Sequence, residues 1–281
     1  MKAPVPGIAM ARTAGPLRAP LRARVGAALL AACLSAFSLH AQQRAIPPGE
    51  LKSGLAYTGE DVRALQADDF ANPAMLWVER GEKLWHAPAG AGQQSCASCH
   101  NDAKASMRGV AARYPAFDAA AKRLFNVEAR INACRVDHQK AEALKPESED
   151  LLALTAYVNH QSRGLPIQVS IDGPARDYYD RGRTFYYTRR GQMNMSCTTC
   201  HEQNYGKRLF AETISQGQPN AYPIYRLEWQ SAGSLHRRLR SCLFGVRAEL
   251  LPIGSAEFLD LELFLAWRAE GLPIETPGVR R

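Results

Sequence analysis

The chain has 281 residues, a formal net charge of +8, 46% hydrophobic and 22% charged residues and seven cysteines, enough for one large domain or two of ordinary size. No window of about 20 uninterrupted apolar residues occurs, which argues against a membrane span, and 21 Gly with 17 Pro are too few for a collagenous or low-complexity chain. The composition is that of a globular protein.

Residues 1 to 24 carry Lys2, Arg12, Arg18, Arg22 and Arg24 without an acid, and the apolar run VGAALLAACLSAF (25–37) leads to small residues near Ala41. This is the pattern of a secretory signal peptide, 1–41, and predicts export to the periplasm. Cleavage there removes five positive charges and leaves about +3 on 240 residues, so the basic pI does not point to a nucleic acid. Leu30-Ala31-Ala32-Cys33 also resembles a lipobox, which makes a lipoprotein with Cys33 at its N-terminus the alternative. Residues 42–70 read as a polar lead-in that packs on the first domain.

A helix is expected around Arg80-Gly81 and the apolar pair Leu84, Trp85, followed by CASCH (96–100). The same order recurs as Arg181-Gly182, then Phe185, Tyr186 and Tyr187, then CTTCH (197–201). C-x-x-C-H is the c-type haem attachment pattern: Cys96 with Cys99, and Cys197 with Cys200, supply thiols to the porphyrin, while His100 and His201 are placed to bind iron. A zinc ribbon would need its second pair about 15 to 20 residues on, whereas these pairs lie 101 apart.

Downstream of each motif, LLALTAYVNHQSRGLPI (151–167) aligns without a gap on FLDLELFLAWRAEGLPI (258–274). Both are apolar helices with acidic starts, Ser148-Glu149-Asp150 and Ser255-Ala256-Glu257. Gly164 and Gly271 suit left-handed C′ positions before a proline stop. The reading is an all-α chain of two tandem class I cytochrome c-like domains related by duplication, 42–165 with the first haem and 166–281 with the second.

The distal iron ligand separates this chain from a common cytochrome c. The last methionine, Met195, precedes the second motif, so the candidates after His201 are His236 and Cys242. In the first half they are Met107, Cys134, His138 and His160. Each half holds one further cysteine, Cys134 or Cys242, with an arginine four residues earlier, Arg130 or Arg238. On a helix that spacing shares a face, and a guanidinium stabilises thiolate, the form that binds iron or attacks sulfur. The competing reading is a Cys134–Cys242 disulfide or two inert buried thiols. Around Cys242 the run His236, Arg237, Arg238, Arg240, with Arg247 beyond, reads as an anion site.

With the duplicated domains, the INACR segment (131–135), the GLPI helix ends and RRLRSC (237–242), the chain resembles the SoxA family, the dihaem subunits of the SoxAX cytochrome complex of bacterial thiosulfate oxidation. The resemblance runs from about residue 50 to the C-terminus. It implies two covalent c-type haems, on Cys96 and Cys99 and on Cys197 and Cys200, with His100 and Cys134 as iron ligands of the first and His201 and Cys242 of the second. It further implies L-cysteine S-thiosulfotransferase activity, in which thiosulfate is oxidatively coupled to a cysteine of a SoxYZ-like carrier. Cys242 would be the active-site cysteine, carried as a persulfide, Arg238 the cation that orients substrate with Arg237 or Arg240 as helpers, and a SoxX-like monohaem cytochrome the partner. A tetrathionate-forming thiosulfate dehydrogenase and a non-catalytic dihaem electron carrier are the alternatives.

Overall fold

The computed structural model describes residues 45–281, so the signal-peptide and lipobox expectations lie outside the described residues. The first half runs through α1 (Glu60–Ala67), α2 (Met75–His86), the motif helix α3 (Cys96–His100), the hairpin β1 (Ala116–Asp118) and β2 (Arg123–Phe125), α4 (Val127–Cys134) and α5 (Glu149–His160). The second repeats the order with α6 (Ala175–Tyr187), α7 (Cys197–His201), a small hairpin β3 (Arg208–Leu209) and β4 (Glu212–Thr213), then β5 (Ile224–Arg226), β6 (Ser231–Gly233), α8 (Leu235–Gly245) and α9 (Ala256–Arg268). A final strand, β7 (Gly278–Arg280), adds parallel to β5. The architecture is mostly helical; the short hairpins are additions that the helical patterning did not reveal.

Each half is organised by one crossing of its first and last long helices, α2 on α5 and α6 on α9. Gly81 and Gly182 make the crossings possible: a Cβ at either would fall inside the van der Waals radius of a backbone carbonyl oxygen, that of Ala153 or Asp260. Beside them Trp85 meets Tyr157 at 5.9 Å and Tyr186 meets Phe264 at 5.1 Å between ring centroids. The serine caps form as expected, with Leu151 N–H and Phe258 N–H donating to Ser148 and Ser255 at 3.4 Å. Every residue from Leu151 to Val158 is buried, which accounts for the all-round apolar character of α5.

Gly164 and Gly271 are left-handed, at φ 83° and 92°, yet they lie in the turns after the helices rather than directly at C′, because α5 and α9 close earlier, at His160 and Arg268. The two GLPI segments then pair with each other. Gly164 N–H donates to the Ile274 carbonyl and Gly271 N–H to that of Ile167, both at 2.9 Å; Ile167 to Leu272 and Ile274 to Leu165 repeat the exchange, also at 2.9 Å. These are equivalent bonds made from either repeat, so a local two-fold relation passes between Pro166 and Pro273. Residues 45–281 accordingly form one compact unit.

The lead-in packs mainly against the second half; to the first half it adds the ion pair of Asp69 with Arg163. Lys52 N–H donates to Gln216 Oε1 at 2.8 Å, Gln216 Nε2 donates to the Glu50 carbonyl at 3.0 Å, and Tyr57 meets Tyr205 edge-on. Buried Gln66 on α1 accepts from Val279 N–H of β7 at 2.9 Å, satisfying an edge-strand donor that polarity patterning could not have located. Replacing Gln66 with leucine orphans that donor and is expected to cost about 1–3 kcal/mol in denaturant unfolding; an unchanged midpoint would show that the contact does not hold the lead-in.

Candidate haem centres and the Cys242 site

The motif helices are single turns opened by serine. Ser98 N–H donates to Ser95 Oγ and Ser95 N–H to Ser98 Oγ, both at 3.1 Å, and Ser196 N–H donates to Thr199 Oγ1 at 3.2 Å. One helical turn puts the two cysteines, at i and i+3, and the histidine, at i+4, on one side of the backbone. His100 lies against the Trp85 ring at 5.8 Å. His201 is held more closely: its Nδ1 is 2.8 Å from the Ser215 carbonyl, so Nδ1 carries the proton and the Nε2 lone pair is left for a metal. Gly217 packs under this ring, where a Cβ would come within 2.8 Å of it.

Cys242, on α8, lies near the His201 imidazole, which helps to lower its pKa. Burial alone would raise its pKa, but the Arg238 guanidinium, then His201 and Arg226, bring the thiol down to about 7. Cys197 shows the reverse balance, pushed up to about 12 by burial with Cys242 adding to the rise. One sulfur thus sits where an uncharged thioether is comfortable, and the other where a thiolate is. Tyr186 Oη and Arg268 Nη2, in the surroundings of Cys197, are buried without a protein partner, as expected of a pocket that receives a further polar group. These features fit a haem attached at Cys197 and Cys200, with His201 and Cys242 supplying nitrogen and sulfur to its iron.

The other ligand candidates are engaged elsewhere or exposed. His236 is buried, its Nδ1 accepting from Gly254 N–H at 3.1 Å and its Nε2 lying 2.9 Å from Glu262. Met107 packs in the core of the first half, His160 Nδ1 sits 3.3 Å from the Thr276 carbonyl, and His138 is exposed. Cys134 and Cys242 are both free, so the disulfide reading does not hold.

The two extra cysteines come from matching places with one local difference. The caps Asn126 and Ser234, and Cys134 and Cys242 themselves, are 108 residues apart. Gln139 and Val246, whose carbonyls lie against Gly90 and Gly191, are 107 apart. A π-helical turn, Arg135–Gln139, directly after Cys134 absorbs the additional residue.

Of the basic run, Arg238 is the guanidinium that acts on the thiol. Arg237 lies over Trp229 at 4.1 Å and reaches toward Glu147, Arg240 Nη1 donates to the Leu251 carbonyl at 2.7 Å, and Arg247 is a left-handed turn residue. Neither Arg237 nor Arg240 is thus turned to the thiol, whereas Arg226, a buried strand residue that the sequence reading did not single out, helps to lower the Cys242 pKa. Tyr225 packs on Trp77 of the first half, and Trp229 lies under the guanidinium of Arg226 as well as that of Arg237.

The comparisons agree with this geometry. A family model described as the cytochrome c domain of SoxA/TsdA matches residues 80–167. "L-cysteine S-thiosulfotransferase subunit SoxA" of Pseudaminobacter salicylatoxidans is 44% identical over 84% of this chain and 82% of its own length. The protein of that name from Allochromatium vinosum is 34% identical over 88% and 89%. A crystal structure of SoxXA from P. pantotrophus superposes with a TM-score of 0.80 at 39% identity, covering 82% of this chain and 87% of that one. The chain belongs to the SoxA family. As a SoxA cytochrome c chain it carries covalently bound c-type haem, for which both C-x-x-C-H motifs are complete. No helix among the described residues is long and apolar enough to cross a membrane.

Proposed function

We propose that this chain is the thiosulfate-binding, thiol-bearing subunit of an L-cysteine S-thiosulfotransferase in the periplasm, joined to a SoxX-like monohaem cytochrome and acting on a SoxYZ-like carrier protein. The observation that supports this reading is the Cys242 thiol, which the Arg238 guanidinium and the His201 imidazole bring down to about 7 against the effect of burial. In this reading Cys96 and Cys99 attach the first haem, with His100 and Cys134 as its ligands, and Cys197 and Cys200 attach the second, with His201 and Cys242.

Thiosulfate is a dianion with a soft terminal sulfur and a sulfonate end. Arg238 takes the sulfonate, which aims the terminal sulfur at Cys242 or its persulfide. Ser215 and Gly217 fix the His201 ring, which would keep its Nε2 positioned for iron as charge on the Cys242 sulfur changes. Coupling thiosulfate to the carrier cysteine forms one S–S bond, releases the carrier's thiol proton and removes two electrons. A haem held by Cys197 and Cys200 would supply one-electron redox chemistry, and the SoxX-like monohaem partner is the proposed further acceptor.

Peptide mass spectrometry before and after incubation with thiosulfate tests the assignment. The Cys242 peptide should gain a sulfur or a thiosulfate-derived adduct, and the Cys134 peptide should not. An unchanged Cys242 thiol would return the chain to simple electron transfer.

A further inference from the structure

The duplication contains its own control for the Cys242 site. At the separation of 108 residues, the hairpin β1–β2 corresponds to β5–β6, Tyr114 to Tyr222, Arg130 to Arg238, and Asp118 to Arg226. In the first half Arg130 is neutralised: it ion-pairs with Asp118, and its Nε donates to the Tyr114 hydroxyl at 3.2 Å. In the second half the carboxylate position is a second guanidinium. No carboxylate among the described residues lies within ion-pair distance of Arg238. The matching hairpin register sets Arg226 where Asp118 meets Arg130, on the Arg238 side of the second half. Consistent with this, burial raises the Tyr222 phenol while the Arg238, Arg226 and Arg280 guanidiniums oppose the rise, and of these Arg280 is already held by Glu275 and Gln66.

Arg226 is only 7% exposed, an expensive position for a guanidinium without a task. Its recorded ion-pair partner, Glu228, is 54% exposed and takes only the Nε edge, at 2.8 Å. The side chain is also fixed in place. Its backbone sits in the middle strand of the β6–β5–β7 sheet, paired with Ser231 and Arg280, and its guanidinium lies over the Trp229 ring at 5.2 Å. A cation held on a sheet keeps its direction whether or not an anion is present.

We infer that Arg226 is a second anion-anchoring residue of the Cys242 site, acting with Arg238 to select a divalent, oxyanion-headed sulfur substrate over a monovalent one. This rests on the thiosulfate reading above. Two guanidiniums match a charge of −2, whereas a monoanion needs only one. The aspartate at the corresponding position also explains why the Cys134 side, with the same spacing of cysteine and arginine, offers no anion site.

The test uses the assembled haem-loaded complex with its carrier and an electron acceptor. Thiosulfate is compared with methanethiosulfonate, a monoanion of similar shape in which a methyl group replaces one oxygen. For Arg226→Gln, KM for thiosulfate should rise about tenfold or more while kcat changes much less. Competition by methanethiosulfonate should be nearly unaffected, so the preference for the dianion falls by the same factor. Arg226→Lys should restore most of the preference, and Arg226→Asp, which copies the first half, should weaken thiosulfate further still. Equal weakening of both anions would mark Arg226 as merely structural and overturn the inference, as would an unchanged KM. If Arg226→Gln does not fold, Glu228→Gln decides: removing the exposed competitor should lower KM for thiosulfate, and an unchanged or higher KM overturns the inference. A wild-type complex inactive with thiosulfate would overturn the functional reading itself, and this inference with it.

Discussion

Replacing Cys242 with serine is expected to lower thiosulfate-dependent turnover by about a thousandfold or more, with the far-UV circular dichroism of the protein unchanged. A hydroxyl at this position is not appreciably ionised near neutrality, is a hard rather than a soft donor, and cannot be carried as a persulfide. The replacement is nearly isosteric on α8, whose cap at Ser234 lies about two turns away. Cys134→Ser supplies the matched control. Its thiol is raised by burial, with Arg130 lowering it only in part, and Arg130 is committed to Asp118. Turnover should therefore survive within about an order of magnitude. A Cys242→Ser complex that still couples thiosulfate at near wild-type rate would remove this residue from the chemistry.

A large stability effect is expected at Gly182. A methyl group there collides with the Asp260 carbonyl, and behind that carbonyl stand Leu261 and Phe264, both essentially fully buried. A backbone carbonyl within a helix cannot rotate aside, so α6 and α9 must separate along their whole contact. Gly182→Ala is expected to cost about 3 kcal/mol, the upper part of the overpacking range, or roughly 6–12 °C in Tm for a domain of this size. Gly245→Ala, at the end of α8 where a Cβ meets nothing within 4 Å, should be neutral or slightly stabilising. The pair is read by thermal denaturation of the haem-loaded protein; equal Tm values would mean that the α6–α9 crossing tolerates separation. Gly81 makes the same contact with Ala153, so the two halves should respond alike.

Local chemistry, written in short motifs, was legible from the sequence alone. The haem attachment pattern needs only five consecutive residues, and the repeat of helix, motif, lone cysteine and closing helix follows from comparing one half with the other. The caps at Ser148 and Ser255 and the arginine one turn before each cysteine are likewise local. Tertiary structure decided the partners that lie far apart in the chain. Arg130 and Arg238 look alike in sequence because each stands four residues before a cysteine; they differ because the hairpin of the first half presents Asp118 to Arg130, whereas the matching hairpin position in the second half is Arg226. The basic run around Cys242 resolved in the same way, one guanidinium facing the thiol and its neighbours turned to Trp229 and Leu251, since helical rotation sends adjacent side chains about 100° apart. His236 could not be dismissed as a ligand until Gly254 and Glu262 were seen on its two nitrogens. The lead-in found the second half because its buried glutamine side chain and a strand edge more than 200 residues away satisfy each other. Sequence determines which groups a segment carries, and hence attachment motifs, caps and repeats. Only the fold determines which charges share a low-dielectric pocket, where an aspartate or an arginine at one position separates a neutralised arginine from an anion site.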